Sequence, residues 1–293
     1  MVARRHELTE QQWRVVEPLL PPSGTKGRPR VDDRRMINAM LYKAKTGVAW
    51  RDLPERYGPW KTVYNRFWRW TRNGTLAMLV TNVRVIADAL DELDREVSVD
   101  SSIVRAHQHA AGARARLIHT GDNRFGDRHT ESVDHAIGRS RGGPSTKIHL
   151  ACDRLGRPLS VVLTAGNIND CTVFTQVMAG IRMPRPGRGR PWTRPRRVLA
   201  DKGYSTRAIR KYLRSRGIAA TIPERVDQQA NRRRRGRAGG RPPVFDRVVY
   251  RRRNVVERCF NRFKQYRAIA TRYDKTAVSF HGMLDLATLL MWL

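Results

Sequence analysis

Three acidic residues lie where a carboxylate needs a chemical explanation, and two of them are next to β-rich runs. Asp100 interrupts the run over residues 96–104, where a carboxylate without a partner would cost stability. Asp201 directly follows the run over residues 197–200, and ligand sites in open α/β sheets form at the carboxyl ends of strands. A single Asp at a strand end is more often a helix cap, but Ser205 is the better cap here. From these two acids alone, a metal site and two separate structural roles are about equally supported.

The third acid, Glu257, lies in a segment that divides into two faces when it is placed on a helix at about 100° per residue. One stripe carries Tyr250, Arg253, Glu257, Asn261 and Lys264. The other arc is apolar and can pack on a sheet; it carries Val255, Val256, Cys259, Phe260 and Phe263. A surface ion pair between Arg253 and Glu257 is the alternative, but it explains neither the aligned Tyr250 nor Lys264. The helix therefore directs one acid, two cations and an aromatic ring at one place.

The charge of the chain indicates a polyanionic partner. Its 293 residues include 58 Lys and Arg against 26 Asp and Glu, a net charge of +32. Arg dominates and prefers planar, bidentate contacts with phosphate, so nucleic acid is the expected partner. A GC-rich coding sequence would explain the preference for Arg over Lys, but not the low number of acids.

Targeting and redox signals are weak. The charged N-terminus has no apolar signal segment, and the apolar stretch 284–293 is too short to span a bilayer and is predicted to be a core helix. Cys152, Cys171 and Cys259 form no C-x-x-C pair, so zinc ribbons and redox motifs are excluded. We expect a cytoplasmic, nucleoid-associated protein without membrane contact.

The first third of the chain is predicted to be helical. Apolar spacing predicts helices over residues 7–20, 33–46, 60–70 and roughly 75–93, and Gly47 ends the second. The third helix carries Lys61, Asn65 and Arg69 on its polar face. A helix, a turn and a basic helix are the layout of a helix-turn-helix DNA reader. A plain helical bundle with solvated charges is the alternative.

The pattern changes to an α/β layout from about residue 95. Strands are predicted over residues 96–104, 147–153, 158–164, 197–200 and 217–222, with helices over 172–181 and 205–216. The first three strands can pair as a meander, with Gly156 and Arg157 in a hairpin turn. Residues 105–144 show no periodicity. The Arg-rich segments 184–197 and 225–247 are solvated loops or phosphate clamps, and their low acid content favours phosphate contact.

Four motifs carry a resemblance to a known family. The stretch from Tyr250 to Lys264 matches the Y-x2-R-x3-E-x6-K signature of bacterial insertion-sequence DDE transposases. Further matches are Val99-Asp-Ser-Ser, Ala200-Asp-Lys-Gly-Tyr and Val48-Ala-Trp-Arg-Asp-Leu-Pro. Over nearly its full length the chain resembles the group related to insertion sequence five.

The resemblance implies an all-α helix-turn-helix domain over residues 1–94 and an RNase H-like catalytic domain over residues 95–293. It implies that Asp100, Asp201 and Glu257 are the catalytic, metal-binding triad. It also implies that residues near the cut bind DNA. The DNA-binding residues that we expect are Tyr250, Arg253, Lys264, Lys202, Lys61, Asn65 and Arg69.

Cutting a phosphodiester requires attack on phosphorus by water and then by a DNA 3′-hydroxyl. Carboxylates are hard ligands that suit Mg²⁺ or Mn²⁺, and two ions about 4 Å apart can activate the nucleophile and stabilise the leaving oxygen. We expect two ions, with Asp100 bridging both and Asp201 and Glu257 each completing one side. The chain has no G-x-x-x-x-G-K-[ST] loop, so no ATP is expected. The partner is double-stranded DNA, and holding two element ends at once requires at least a dimer.

Two other functions remain open at this stage. A catalytically inactive DNA-binding relic or repressor would need none of the three acids, and an RNase H-like nuclease would cut without strand transfer. His107, His109 and His135 could bind zinc beside Asp100, but two His with no clear further ligands are a weak signal, and DNA contact or solvation is favoured.

Overall fold

The computed structural model describes residues 4–22, 30–90, 95–112, 135–185 and 189–293. The polar stretch 24–29 and most of the aperiodic segment 105–144 lie outside these ranges. The described residues form a mixed α/β structure, as predicted. No described helix is long and apolar enough to cross a membrane.

Four helices form the N-terminal region: α1 (Glu10–Val16), α2 (Asp33–Thr46), α3 (Trp60–Arg72) and α4 (Thr75–Ala89). Helix α1 continues as a 3₁₀ turn, Glu17–Leu19, and two further 3₁₀ turns, Trp50–Asp52 and Glu55–Tyr57, connect α2 to α3. A capping box at Thr9 begins α1, and Gly47, in the left-handed conformation with φ 71°, ends α2. The predicted helices are confirmed, with ends that differ by a few residues.

The strands are β1 (Glu96–Ala106), β2 (Gly138–Ser140), β3 (Gly143–Cys152), β4 (Pro158–Ala165), β5 (Arg197–Ala200), β6 (Ala219–Thr221) and β7 (Thr271–Arg272). The long strands lie in the order β4-β3-β1-β5-β6. Strands β1, β3 and β4 pair antiparallel, whereas β5 pairs parallel to both β1 and β6. The short β2 pairs with β3, and β7 pairs with β1. The predicted meander and its hairpin are confirmed, because Asp153 N–H donates to the Arg157 carbonyl and Gly156 has φ 75°.

Eight helices follow β1 along the chain: α5 (Gln108–Ala111), α6 (Asp170–Ala179), α7 (Arg207–Ser215), α8 (Val226–Arg234), α9 (Arg247–Arg251), α10 (Asn254–Lys264), α11 (Arg267–Ala270) and α12 (Ala277–Trp292). Helix α10 contacts β1 and β3, and α6 contacts β3 and β4. Side chains alternate between the faces of a strand. On β3, Cys152 therefore faces Cys259 of α10, whereas His149 faces Asp170 of α6. The two helices cover opposite faces of the sheet.

Helix α12 joins the two parts of the molecule into one hydrophobic core. It packs against α2, α3 and α4, and it also contacts β4. A Cβ built at Gly282 would lie 2.5 Å from Thr71 Oγ1, so α12 and α3 approach closely at this glycine. At its other end, Trp292 Nε1 donates to the Pro158 carbonyl at 2.9 Å. The predicted C-terminal core helix is thus confirmed.

Residues 225–247 are more ordered than the expected loop. They contain α8 and a 3₁₀ turn, Gly236–Gly239, and Asp246 caps α9. Arg232 pairs with Glu224, and Gln228 bonds to the backbone and side chain of Ser205. These contacts attach the Arg-rich segment to the body of the protein, so the alternative of a solvated loop is wrong for residues 226–234, which form a helix, and phosphate contact by the segment stays a prediction.

Candidate active site

Asp100 and Asp201 lie at equivalent points on neighbouring strands. Strands β1 and β5 are parallel, and Val99 pairs with Ala200, so the residues that follow come side by side. Asp100 is on the α10 face of β1, and 22% of its side chain is exposed. The register of the parallel pair therefore brings together two acids that are about a hundred residues apart in the sequence.

Arg253 links the first acid to the third. Its Nη1 lies 2.7 Å from Asp100 Oδ2, and its Nη2 lies 2.6 Å from Glu257 Oε1. The Arg253 side chain is 16% exposed and that of Glu257 is 52% exposed. One guanidinium thus holds a carboxylate from β1 and a carboxylate from α10, at the edge of solvent.

The predicted single helix from Tyr250 to Lys264 is interrupted. Helix α9 ends at Arg251, and α10 begins at Asn254. The hydrogen bonds at this junction, from Arg253 N to Tyr250 O and from Val256 N to Arg253 O, span three residues instead of four. Such bonds tighten the turn and change the helix direction. The shared stripe survives only in part: Arg253 and Glu257 meet, and the Tyr250 ring lies 5.8 Å from the Arg253 guanidinium.

The charges of the three acids and of Arg253 do not cancel one another in this cluster. Burial raises the pKa of the Asp100 carboxyl above its ordinary value, and the negative charge of Asp201 adds to this. The Ser101 N–H and the Arg253 guanidinium act in the opposite direction without cancelling the effect. Burial lowers the pKa of Arg253, but Asp100 and Glu257 raise it overall, so the guanidinium stays charged.

Asp201 also has a local role. Its Oδ1 accepts from the N–H of Gly203 at 2.9 Å and caps the 3₁₀ turn Lys202–Tyr204. The sequence suggested Ser205 as the helix cap, but the cap of α7 is Thr206. Ser205 is buried, and its hydroxyl donates to Gln228 and accepts from Arg210. A serine with those partners is not free to cap a helix.

A buried polar cluster on the α6 face was missed by sequence reasoning. Lys147 Nζ lies 2.9 Å from Asp170 Oδ1 and donates to the Ile168 carbonyl at 2.6 Å. Burial lowers the pKa of His149 to about 4 despite the nearby Asp170, so this imidazole is neutral. Burial, helped by Asp170, Asp100 and Asp201, raises the pKa of Tyr204 far above its ordinary value. Tyr204 thus places a protonated phenol behind the two acids. Only its position in the Asp-Lys-Gly-Tyr motif signals it in the sequence.

The other predicted site residues divide into two groups. Lys202 is exposed on the turn after Asp201, and Lys264 is exposed at the end of α10. Neither forms an ion pair with any residue that the structure describes. Lys61, Asn65 and Arg69 are exposed along α3, in the N-terminal region. The exposed face of α3 also carries Trp68 and Arg72, which the prediction did not include.

The histidines form no cluster with the acids in the described residues. The His107 ring contacts that of His109 at 4.6 Å and that of Tyr273 at 4.7 Å. Within the described part of the chain, no group of three His, Cys, Asp or Glu side chains is arranged to hold a metal ion. In this structure, Arg253 fills the space between Asp100 and Glu257 with its own charge.

Two family models match the chain. Residues 8–80 match the family described as "Putative transposase of IS4/5 family", and residues 91–292 match the family described as "Transposase DDE domain". The second match covers most of the chain and includes all three acids.

Individual relatives agree with these matches. The chain is 30% identical over 149 residues to the "Putative transposase for insertion sequence element IS6501" of Brucella ovis, covering 51% of this chain and 98% of the relative. It is 34% identical over 142 residues to the "Putative transposase for insertion sequence element IS402" of Burkholderia cepacia, covering 48% of this chain and 59% of the relative. Among solved structures, the Mos1 transposase paired-end complex with left transposon end is similar with a TM-score of 0.26 and 13% identity, over 84% of this chain and 82% of that one.

The recognition made from the sequence motifs is confirmed by matches that span the N-terminal helices and the whole sheet. The protein therefore belongs to the DDE transposases of bacterial insertion sequences, enzymes that cut and join DNA.

Proposed function

We propose that this transposase binds the terminal inverted repeats of its own insertion sequence, cuts the DNA at their ends and joins those ends to a target. The observation that carries the proposal is the cluster formed by the middle of β1, the end of β5 and α10, where Arg253 bridges Asp100 and Glu257 beside Asp201. We propose these three acids as the catalytic triad.

The catalytic segment, residues 95–293, is proposed to be RNase H-like. Support comes from the strand order β4-β3-β1-β5-β6, with an antiparallel meander followed by two parallel strands. Residues 1–94 are proposed as the DNA-reading segment. In space the division is less sharp, because α12 belongs to the catalytic segment but packs on α2, α3 and α4.

The donor set fits a hard divalent cation. Two carboxylates converge on one cationic group, the Arg253 guanidinium, and a third carboxylate lies on the adjacent strand. Carboxylate oxygens of this kind suit Mg²⁺ or Mn²⁺. We propose that Asp100, Asp201 and Glu257 hold two such ions. When bound, the ions supply activation of the attacking hydroxyl and stabilisation of the leaving oxygen.

The cations around the acids are proposed to hold phosphate. Once Asp100 and Glu257 turn to other partners, the Arg253 guanidinium is free to form a bidentate contact with a DNA phosphate. Lys202 and Lys264 are exposed and add positive charge on either side of Arg253. The Tyr250 ring, next to Arg253, offers a flat surface to the DNA. These four residues would position the scissile strand and neutralise its non-reacting oxygens.

The exposed face of α3 is proposed to contact the terminal repeat as the second helix of a helix-turn-helix. Lys61, Asn65 and Arg69 lie on it, and the opposite face is buried through Val63 and Phe67. A basic, exposed helix held by a packed apolar face is the geometry that such readers use in the major groove. We also propose that two copies act together on DNA, because two ends must be held at once.

The test is a cleavage and strand-transfer assay on labelled duplexes that carry the repeats flanking the gene, with Mg²⁺ or Mn²⁺. Wild type is compared with Asp201→Ala and Glu257→Ala, and with Glu17→Ala, an exposed acid of the N-terminal helices, as the matched control. We expect metal-dependent nicking at the repeat ends by wild type and the control, and a loss of at least roughly 100-fold in both site variants.

Two outcomes would support the other functions. Tight, repeat-specific binding without cleavage in either metal would make the protein an inactive relic or repressor. Cleavage of any duplex without strand transfer would make it a nuclease. Cleavage that persists in both Asp201→Ala and Glu257→Ala would refute the proposed triad, whatever the reaction.

A further inference from the structure

A groove lies between α7 and the segment that follows β6, outside the site described above. Its volume is about 710 Å³, and most of its lining is polar or charged. We call it the basic groove and define it by five cations of its rim: Arg207, Lys211, Arg214, Arg235 and Arg241. The first three lie on α7, and the other two follow α8.

The floor of the basic groove is built from buried and half-buried polar contacts. Arg210 Nη2 donates to Ser205 Oγ at 2.9 Å and to the Ile222 carbonyl at 2.8 Å. The side chain of Gln228 bonds to Ser205, which ties α8 to the turn before α7. Arg232 forms a two-pronged pair with Glu224. The groove is therefore held in place by these contacts, and Glu224, the one acid among the described residues that line it, already has a partner.

The five rim cations are exposed and lack acidic partners. In the described residues, none of them forms an ion pair with a carboxylate within 4.0 Å. Bringing five such charges to one groove is unfavourable unless an anion is bound. Arg207, Lys211 and Arg214 follow one another along a single face of α7, at i, i+4 and i+7.

The spacing of these cations suits a DNA backbone. Seven residues of helix rise by about 10 Å, and the phosphates of one strand recur every 3.4 Å or so along the duplex axis. The row on α7 therefore spans roughly three phosphate steps, enough for each of its three cations to reach a different phosphate. Among the described residues that line the groove none is aromatic, which favours contact with the backbone over stacking on bases.

The position of the groove relates it to the acids. Ser205, which lines the groove, is four residues after Asp201, and only the short 3₁₀ turn lies between them. Helix α7, which carries three of the rim cations, contacts β6 at one edge of the sheet. Helix α12, which packs against α3, contacts β4 at the other edge. Strand β1, which carries Asp100, lies between these two edges in the strand order.

We propose that the basic groove binds the phosphate backbone of the duplex on the far side of the scissile phosphate from the α3 surface. This inference rests on the proposed function. The duplex is the DNA that flanks the element before the cut, or the target DNA at the joining step, since both present the same phosphodiester backbone.

The test uses the full chain and three fluorescent duplexes of equal length: an element end with its flank, an end cut at the element boundary, and a duplex without element sequence. The variant is Arg207→Ala/Lys211→Ala/Arg214→Ala. The control is Arg139→Ala/Arg182→Ala/Lys275→Ala, which loses the same charge at exposed positions outside the groove and outside the other segments proposed to bind DNA. Thermal unfolding verifies that both variants fold.

For the groove variant we expect affinity for the flanked end to fall by roughly 10- to 100-fold at about 0.1 M salt, with the slope of log K against log salt reduced by about 2.7, the value for three phosphates. Affinity for the cut end should fall no further than in the control. If flanked-end binding is unchanged but joining of the cut end to the third duplex falls, the groove binds target DNA, and the proposal stands.

Equal weakening on the flanked and cut ends, or equal weakening by the control variant, would overturn the inference, because the effect would then be general charge. So would wild-type behaviour of the groove variant in both binding and joining. Failure of the proposed function is distinguishable. In that case wild type would cut nothing, while the flank-dependent binding difference could still be measured.

Discussion

Arg253 is the residue on which the geometry of the acidic cluster depends. It joins β1 to α10 through two short ion pairs, and it is less exposed than either carboxylate that it contacts. Asp100 is partly buried, and the negative charge of Asp201, directly after the neighbouring strand β5, also raises its pKa. Like charges this close repel, so function, more than stability, accounts for the position of Asp100.

This imbalance predicts the behaviour of Asp100→Asn. Because the amide removes the repulsion from Asp201 and still accepts a bond from Arg253, we expect the variant to unfold at or above the wild-type temperature in chelator. We also expect it to lose the stabilisation that Mg²⁺ or Mn²⁺ gives the wild type by binding the folded state. Differential scanning fluorimetry with and without metal measures both effects.

The control for this prediction is Asp153→Asn, in a buried pair with Arg157 at 2.8 Å. Removing one partner of a buried pair should cost about 3–5 kcal/mol. A comparable loss in Asp100→Asn would mean that Asp100 is a structural ion-pair residue.

Sequence reasoning selected, from local signals, residues that the structure brings together. The three acids and Arg253 are marked by their places in and after β-rich runs, by helical spacing and by the family motif. It missed Lys147, Asp170 and the role of Tyr204, since their importance comes from burial against residues far along the chain. The cap of α7 was wrong for the same reason: Ser205 and Thr206 are both good caps locally, and only the tertiary partners of Ser205 decide between them.

At the scale of elements, helix α3 combines a buried apolar stripe with a basic face that carries one large exposed ring. Trp68 is 45% exposed, and the Arg72 guanidinium lies 4.9 Å from its ring. An exposed Trp among cations gains little from the folded protein alone, but it offers broad contact area to DNA.

We therefore expect Trp68→Ala to weaken binding to an element-end duplex by about 10-fold, the equivalent of about 1.4 kcal/mol, without lowering the unfolding temperature. Fluorescence anisotropy measures the affinity. Met78→Ala, which removes a 38% exposed apolar side chain from α4, serves as the control. If both variants bind like wild type, the DNA-reading surface does not include this face of α3.

The predicted helices and strands are confirmed where periodicity is strong. The predictions were wrong where long-range contacts determine the backbone conformation. The bounds of β5 agree with the prediction, and α2 also agrees, because Gly47 fixes its end. The break between α9 and α10 has no Pro or Gly to announce it. Helix α8 forms in a run of Arg and polar residues, held by Gln228 and Arg232 through contacts outside the segment.

At the scale of the whole molecule, α12 is the helix against which both the N-terminal helices and β4 pack. Phe280, Met283 and Leu284 are buried in the core, with the N-terminal helices on one side and β4 on the other. The packing partners of α12 could not be predicted from the sequence, because an apolar helix packs equally well in many places. The family boundaries alone suggest two separable units, and the packing argues against it.

A fragment of residues 1–94 should therefore not fold cooperatively by itself, since it would expose the surfaces of α2, α3 and α4 that α12 covers. We expect poor dispersion in its NMR spectrum and no sharp thermal transition. Joining residues 277–293 to the fragment through a Gly-Ser linker should restore both. Cooperative unfolding of residues 1–94 alone would show instead that the N-terminal region is an independent domain.

Helix α12 also carries a titrating group, His281, at its contact with β4. Burial lowers the pKa of His281, but Asp285, with its Oδ2 3.4 Å from Nδ1, and the Val161 carbonyl raise it overall; Arg84 opposes them. A pKa raised in the folded state gives stability that is complete below the unfolded value, about 6.5, and is lost as pH rises through the folded value. Denaturant unfolding should therefore give His281→Gln a deficit against wild type near pH 6 that shrinks near pH 9. A deficit independent of pH would mean that the imidazolium contributes nothing.

The position of α12 in the chain has a consequence for the order of events during synthesis. Translation adds about 5–20 residues per second, so α12 leaves the ribosome roughly 10 to 40 s after α4. During that interval the helices proposed to read DNA exist without α12, the helix that completes their core. The surface proposed to recognise the element therefore matures only after the catalytic strands have been made. A newly made protein would become able to bind the element DNA and able to cut it at nearly the same time.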